Sequence, residues 1–227
     1  MSVERIFEDA GGNFLNSFPW FVTKASHVKA FLFDWDGVFN SGAKGEGVSS
    51  GFTETDSMGL NMLRLSYWMT NSEIPIVGII TGQNNQSAIH LAKREHFKTV
   101  YYGFLNKKKA FEHFLKEHTL DANQVAYVFD DILDVAIADL CGLRIFVKNA
   151  GSLLFENFIR ENNLADYITA NDGNGNAVRE TCELIIGVNG NYNQTIKERI
   201  SFNPLYEQYL AERNKIIPDF FKEENNA

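Results

Sequence analysis

The sequence predicts an α/β fold, a doubly wound parallel sheet covered by helices on both faces. Two patterns carry this reading. Short apolar runs alternate with longer amphipathic stretches along residues 28–187, the order that βαβ units require. The runs are also apolar throughout rather than at every second position, as strands buried on both sides are.

Val28 to Phe33 (VKAFLF) is the first predicted strand and stops at Asp34. Asn40 to Gly51 is rich in glycine and serine, which predicts a β-hairpin flap rather than a core element. Met58, Leu60, Met62, Leu63, Leu65 and Met69 recur at helical spacing, so a helix is expected over 56–70, capped by Asp56 or Ser57. Further strands are expected at 74–80, 99–102, 125–129 and 143–147, with Tyr167-Ile168 as an edge strand. Helices are expected at 85–96, 106–118, 131–140, 153–161 and 177–186. Residues 1–27 and 188–227 lie outside this pattern and read as an N-terminal extension and a C-terminal helical extension, the latter with one amphipathic helix over 196–213.

The chain has 227 residues, enough for one α/β domain with a substantial core. A net charge of −8 argues against nucleic acid as a partner, since phosphate backbones select for clustered Lys and Arg. The 19 Phe read first as core packing. Two cysteines, Cys141 and Cys182, form no disulfide or zinc pattern, so a reducing cytoplasm is expected. No apolar stretch is long enough for a membrane span, and the acidic start, with Glu4, Glu8 and Asp9, does not read as a signal peptide.

The chemistry collects at the ends of the predicted strands, where open parallel sheets bind ligands. Asp34 and Asp36 follow the first strand, Thr81 and Gly82 the second, and Asp130 and Asp131 a later one, while Lys107 opens a helix between them. These are parts for phosphoryl transfer. One carboxylate can act as nucleophile to give an aspartyl-phosphate, and a second, two residues on, can protonate the leaving oxygen. Oxygen ligands from Asp34, the Asp36 main-chain carbonyl and Asp130 suit hard Mg2+. Thr81 can donate to phosphoryl oxygens and Lys107 can supply a point charge. Each piece alone is weak, because Asp-Asp before a helix is commonly a cap and Thr-Gly commonly a turn. Their joint occurrence carries the reading. His90, His96, His113 and His118 lack a ligand partner and read as surface or packing residues, and Trp35 is expected to turn into the core.

At these residues the chain resembles the haloacid dehalogenase superfamily: Phe33-Asp34-Trp35-Asp36-Gly37-Val38, Ile80-Thr81-Gly82, Lys107, and Asp130-Asp131-Ile132-Leu133-Asp134. Within it the chain most resembles the 3-deoxy-D-manno-octulosonate 8-phosphate phosphatase group, over about residues 28–187. The resemblance implies a Rossmann-like sheet with no cap domain and a flap after the first motif. It implies Asp34 as nucleophile, Asp36 as acid/base, Mg2+ on Asp34 and Asp130, Thr81 and Lys107 on the phosphate, and Asp131 and Asp134 as auxiliary groups. It also implies a small phosphorylated metabolite as substrate, a sugar phosphate or phosphorylated sugar acid, and a homotetramer in which one subunit's flap helps close its neighbour's site. Three positions depart from the group: Gln83 where Arg is usual, Gly173-Asn174-Gly175-Asn176 where a glycine-rich stretch carries an Arg, and Phe129 where Gly precedes Asp130.

Two rival readings use the same residues. A receiver-like phospho-acceptor domain also gathers acids, Thr and Lys at a sheet edge, but its acidic pair comes first and its Lys last, the reverse of this order. A catalytically idle binding or scaffolding protein on the same fold would have no need of the complete catalytic set.

Overall fold

A computed structural model of the chain describes residues 1–45, 48 and 50–223. The chain runs α1 (Val3–Asp9), β1 (Asn13–Phe14), α2 (Phe18–Ala25), β2 (Ala30–Phe33), α3 (Glu54–Asn71), β3 (Ile76–Thr81), α4 (Gln86–Glu95), β4 (Thr99–Tyr102) and α5 (Lys107–His118). It continues through β5 (Val125–Phe129), α6 (Val135–Ala138), β6 (Leu143–Phe146), α7 (Leu153–Glu161), β7 (Tyr167–Ile168), α8 (Ala177–Val188), α9 (Tyr192–Ser201), α10 (Pro204–Arg213) and β8 (Asp219–Lys222).

Among the described residues these strands form one eight-stranded sheet in the order β1-β7-β6-β5-β2-β3-β4-β8. All neighbours are parallel except β1, which runs antiparallel to β7. The α/β reading holds, and the reason is visible in β2, whose four residues are all buried but alternate between two cores. Phe31 and Phe33 face the layer built from α2, α3, α4 and α8. Ala30 and Leu32 face the layer built from α5, α6 and α7. A strand so placed has no solvent face, which is why its sequence shows no alternation.

The chain lays β2, β3 and β4 toward one edge, then returns to place β5 on the other side of β2. The order therefore reverses between β2 and β5, the crevice where such sheets take ligands.

Several local expectations are corrected. The helix expected from Asp56 begins at Glu54, because the Thr53 hydroxyl accepts from the Asp56 N–H at 3.0 Å and caps the turn. The single helix expected over 196–213 is two: Phe202 adopts a left-handed conformation, and Asn203 caps α10 with Pro204 in its first turn. The stretch after Asp131 opens with a 3-10 turn, Ile132–Asp134, before the short α6.

The segments flanking residues 28–187 enter the same sheet. β1 covers β7, so Tyr167-Ile168 is an inner strand and not an edge. β8 covers β4, with Asp219 to Lys222 paired to Thr99 to Tyr102, and α10 packs Tyr206 and Tyr209 against Leu65 and Trp68 on the outer side of α3. Of the hairpin flap expected over 40–51, the described residues hold no strand beyond an isolated Asp36–Asn40 bridge. The part of that expectation on residues 46, 47 and 49 lies outside the described residues.

Candidate active site

β2 ends one residue before Asp34, whose N–H donates to the Val128 carbonyl of β5 at 2.9 Å. Asp34 thus stands between the tips of β3 and β5, flanked by Thr81 and Asp130. Lys107, the first residue of α5, reaches it from the second helical layer: its Nζ lies 2.7 Å from Asp34 Oδ1 and 2.6 Å from Asp134 Oδ1. All of these residues are buried.

Carboxylate oxygens of Asp34, Asp130 and Asp134 lie within 4.8 Å of one another. Three buried acids against the Lys107 ammonium leave an excess of negative charge, and its cost shows in the protonation of Asp34 and Asp130. Burial, then the Asp134 charge, push the Asp34 carboxyl up to about 7 against the pull of Lys107. Burial, then the charges of Asp34 and Asp134, push Asp130 up to about 9. Asp130 Oδ1 is buried and has no hydrogen-bond partner, an expensive state for a carboxylate oxygen. Hard oxygen donors, surplus negative charge and an orphaned oxygen all fit a divalent cation such as Mg2+.

The three acids are not equivalent. Asp134 Oδ1 already receives Lys107 and the Tyr127 hydroxyl, at 2.6 and 2.5 Å, and its Oδ2 faces the Asp131 N–H at 3.4 Å. It works chiefly as the anchor of Lys107. Asp131, expected as an auxiliary group, is exposed, and its carboxylate caps the 3-10 turn through the Ile132 N–H at 2.7 Å. Its position on the outside of that turn makes it the capping member of the Asp-Asp pair.

The Asp36 side chain has partners of its own outside the acidic cluster. Its Oδ2 accepts from Lys44 Nζ at 2.6 Å and from Asn85 Nδ2 at 2.9 Å. Burial acts to raise it, but the hydrogen bonds from Lys44 and Asn85 outweigh that and hold it below the ordinary range. Thr81 Oγ1 accepts from Asn85 Nδ2 at 2.8 Å and from the Gln83 N–H at 3.3 Å, so its own proton is free for a third group. Gly82 follows at the turn.

Backbone packing fixes the loop below these groups. Gly37 has φ +92°, and a Cβ there would sit 1.9 Å from Asp130 Oδ2, so only glycine fits. At Gly173 a Cβ would meet the Asn40 and Gly37 carbonyls at 2.3 and 2.4 Å. The turn after β7 therefore presses its main chain on the loop that carries Asp36. Phe129 lies on the same face of β5 as Tyr127 and stacks on it, centroids 5.8 Å apart. Trp35 is buried as expected, its indole N–H donating to the Ser50 carbonyl at 3.2 Å.

Lys44, Asn85 and Tyr127 were not singled out from sequence. Tyr127 carried a usable signal, since a hydroxyl in a fully buried strand requires a partner. Lys44 lies in the glycine-rich loop and Asn85 at a helix start, where neither residue type marks a site by itself.

No protein-family model matches the chain. Its sequence is 30% identical over 177 residues to 3-deoxy-D-manno-octulosonate 8-phosphate phosphatase KdsC of Salmonella typhimurium, covering 76% of this chain and 86% of that protein. It is 29% identical over 174 residues to KdsC of Escherichia coli K12, covering 74% and 85%. Among solved structures it resembles the 3-deoxy-D-manno-octulosonate 8-phosphate phosphatase of Moraxella catarrhalis, in complex with a magnesium ion, a phosphate ion and a KDO molecule. The TM-score there is 0.67, with 28% identity, 82% of this chain covered and 100% of that one.

Proposed function

This chain belongs to the 3-deoxy-D-manno-octulosonate 8-phosphate phosphatase family of the haloacid dehalogenase superfamily, and from that premise we propose how its residues divide the work and what they act on. The chain is a phosphatase, a Mg2+-dependent phosphoric monoester hydrolase. The observation that supports the residue assignment best is the gathering of Asp34, Asp130 and Asp134 around Lys107, with Asp36 and Thr81 on the flanking tips.

In this reading Asp34 attacks phosphorus, and its oxygen takes the phosphoryl group as the ester P–O bond breaks. Asp36 gives its proton to the departing oxygen, then accepts one from the water that attacks the aspartyl-phosphate. Lys107, held by Asp134 and Tyr127, neutralises part of the charge on Asp34 and the transferring group. The Thr81 hydroxyl donates to a phosphoryl oxygen. Mg2+ on Asp34, Asp130 and the Asp36 carbonyl supplies charge neutralisation of the phosphoryl group when bound.

The substrate proposed is a phosphorylated sugar acid or sugar phosphate similar to the compound for which the relatives are named. The acidic surface balance of the chain does not oppose this, because the cation and Lys107 reverse the sign locally. A homotetramer and a cytoplasmic location belong to the same proposal; light scattering tests the first. No helix among the described residues is long and apolar enough to cross a membrane.

The deciding experiment is hydrolysis of p-nitrophenyl phosphate and of a panel of sugar and sugar-acid phosphates with Mg2+. Turnover is expected, lost on chelation, restored by Mg2+, and abolished by Asp34→Asn. A wild-type chain inert toward every ester would instead favour an idle scaffold.

A further inference from the structure

Asn85 stands at the N-cap of α4, where an Asn side chain ordinarily accepts from the first-turn N–H groups and stabilises the helix. Here it makes no such bond. Its amide nitrogen points the other way, to Asp36 Oδ2 at 2.9 Å and Thr81 Oγ1 at 2.8 Å. Two donor hydrogens meet two acceptors, one on the tip of β3 and one on the loop after β2. Since Oδ2 is also held by Lys44 at 2.6 Å, the other oxygen, Oδ1, is left buried and without a partner.

We infer that Asn85 is a positioning residue for proton transfer: it forgoes its capping bond to fix the orientation of the Asp36 carboxyl, and ties that orientation to the Thr81 hydroxyl. This rests on the phosphatase reading above. In the balanced step, a proton on the Asp36 carboxyl goes to the ester oxygen as the P–O bond breaks and the phosphoryl group passes to Asp34. The two-atom amide bridge makes the acid and the phosphate-binding hydroxyl one rigid unit. General acid catalysis depends on a donor within hydrogen-bond reach of the oxygen that leaves, so a carboxyl free to rotate loses part of its effect.

The test compares esters whose leaving groups differ in their need for a proton. An alkyl oxygen must be protonated as it departs, whereas p-nitrophenolate leaves without help. For Asn85→Ala the ratio of kcat/KM on an alkyl phosphate to kcat/KM on p-nitrophenyl phosphate is expected to fall about 10-fold or more, whatever happens to the absolute rates through Thr81. Asn85→Asp keeps the shape and offers a good capping oxygen, so melting temperature should hold or rise while the ratio falls at least as far. An unchanged ratio in the folded variants overturns the inference, because a purely structural Asn85 lowers both rates alike. If the alanine variant does not fold, the aspartate variant decides. Failure of the phosphatase reading would look different: the wild-type chain would cleave neither ester.

Discussion

The site is decided at single atoms. Asp36 presents one oxygen to Lys44 and Asn85 and leaves the other bare. Asp36→Asn is expected to lower turnover on an alkyl phosphate by about two orders of magnitude or more, the range that proton donation supplies; a near-normal rate in steady-state assays would remove Asp36 from the mechanism. Gly37 governs Asp130 in the same way. A methyl at a φ of +92° and 1.9 Å from the Asp130 carboxylate must displace one or the other. Gly37→Ala is therefore expected to raise the Mg2+ concentration needed for half-maximal activity at least about tenfold, as disturbed metal-site neighbours commonly do. Asp34 and Asp130 stand out in the sequence because each follows an apolar run, and Lys107 because it starts a helix. Lys44 and Asn85 do not, because a loop cation and an N-cap Asn look alike whether or not they face a catalytic group.

Among the elements, the strands read most faithfully. β4 and β5 are found where the apolar runs put them, since strands buried on both faces tolerate nothing polar for long. β8 escaped notice because Asp219-Phe220-Phe221-Lys222 is half exposed and only four residues long. Yet it is firmly seated: the Phe221 ring stacks on Tyr101 with centroids 4.8 Å apart and lies equally close to His113. Phe221→Ala is expected to cost roughly 2 kcal/mol in urea unfolding, less than a fully buried Phe because this ring is only partly covered. An unaltered midpoint would mean that β8 is held by its backbone pairing alone. Glu223, just beyond, accepts from the Leu105 N–H at 2.9 Å, so the strand also steadies the loop leading to Lys107.

For the whole molecule, the acidic centre is the largest liability. The Asp34 and Asp130 carboxyls sit near 7 and 9 when folded and at 3.8 when free. Folded chain then keeps protons that unfolded chain has released, so this contribution to stability falls as pH rises from about 4 through 7 to 9. Mg2+ held by the ionised acids, as proposed, would reverse the loss. The melting temperature of chelated protein is expected to drop between pH 5.5 and pH 8, and the gain on adding Mg2+ to be larger at pH 8. A gain independent of pH would show that these acids do not hold the ion. The doubly wound architecture was legible because strand order follows from the alternation of patterns, whereas the sheet's full width was not. Its outer strands are short and partly exposed, so no buried apolar run marks them. Those same outer strands impose a schedule on biosynthesis. β1 emerges from the ribosome long before β7 exists to receive it, and β4 waits for residues 219–222 before its flank is covered. A nascent chain thus carries bare hydrogen-bonding rows through most of its translation, when chaperone engagement would matter most.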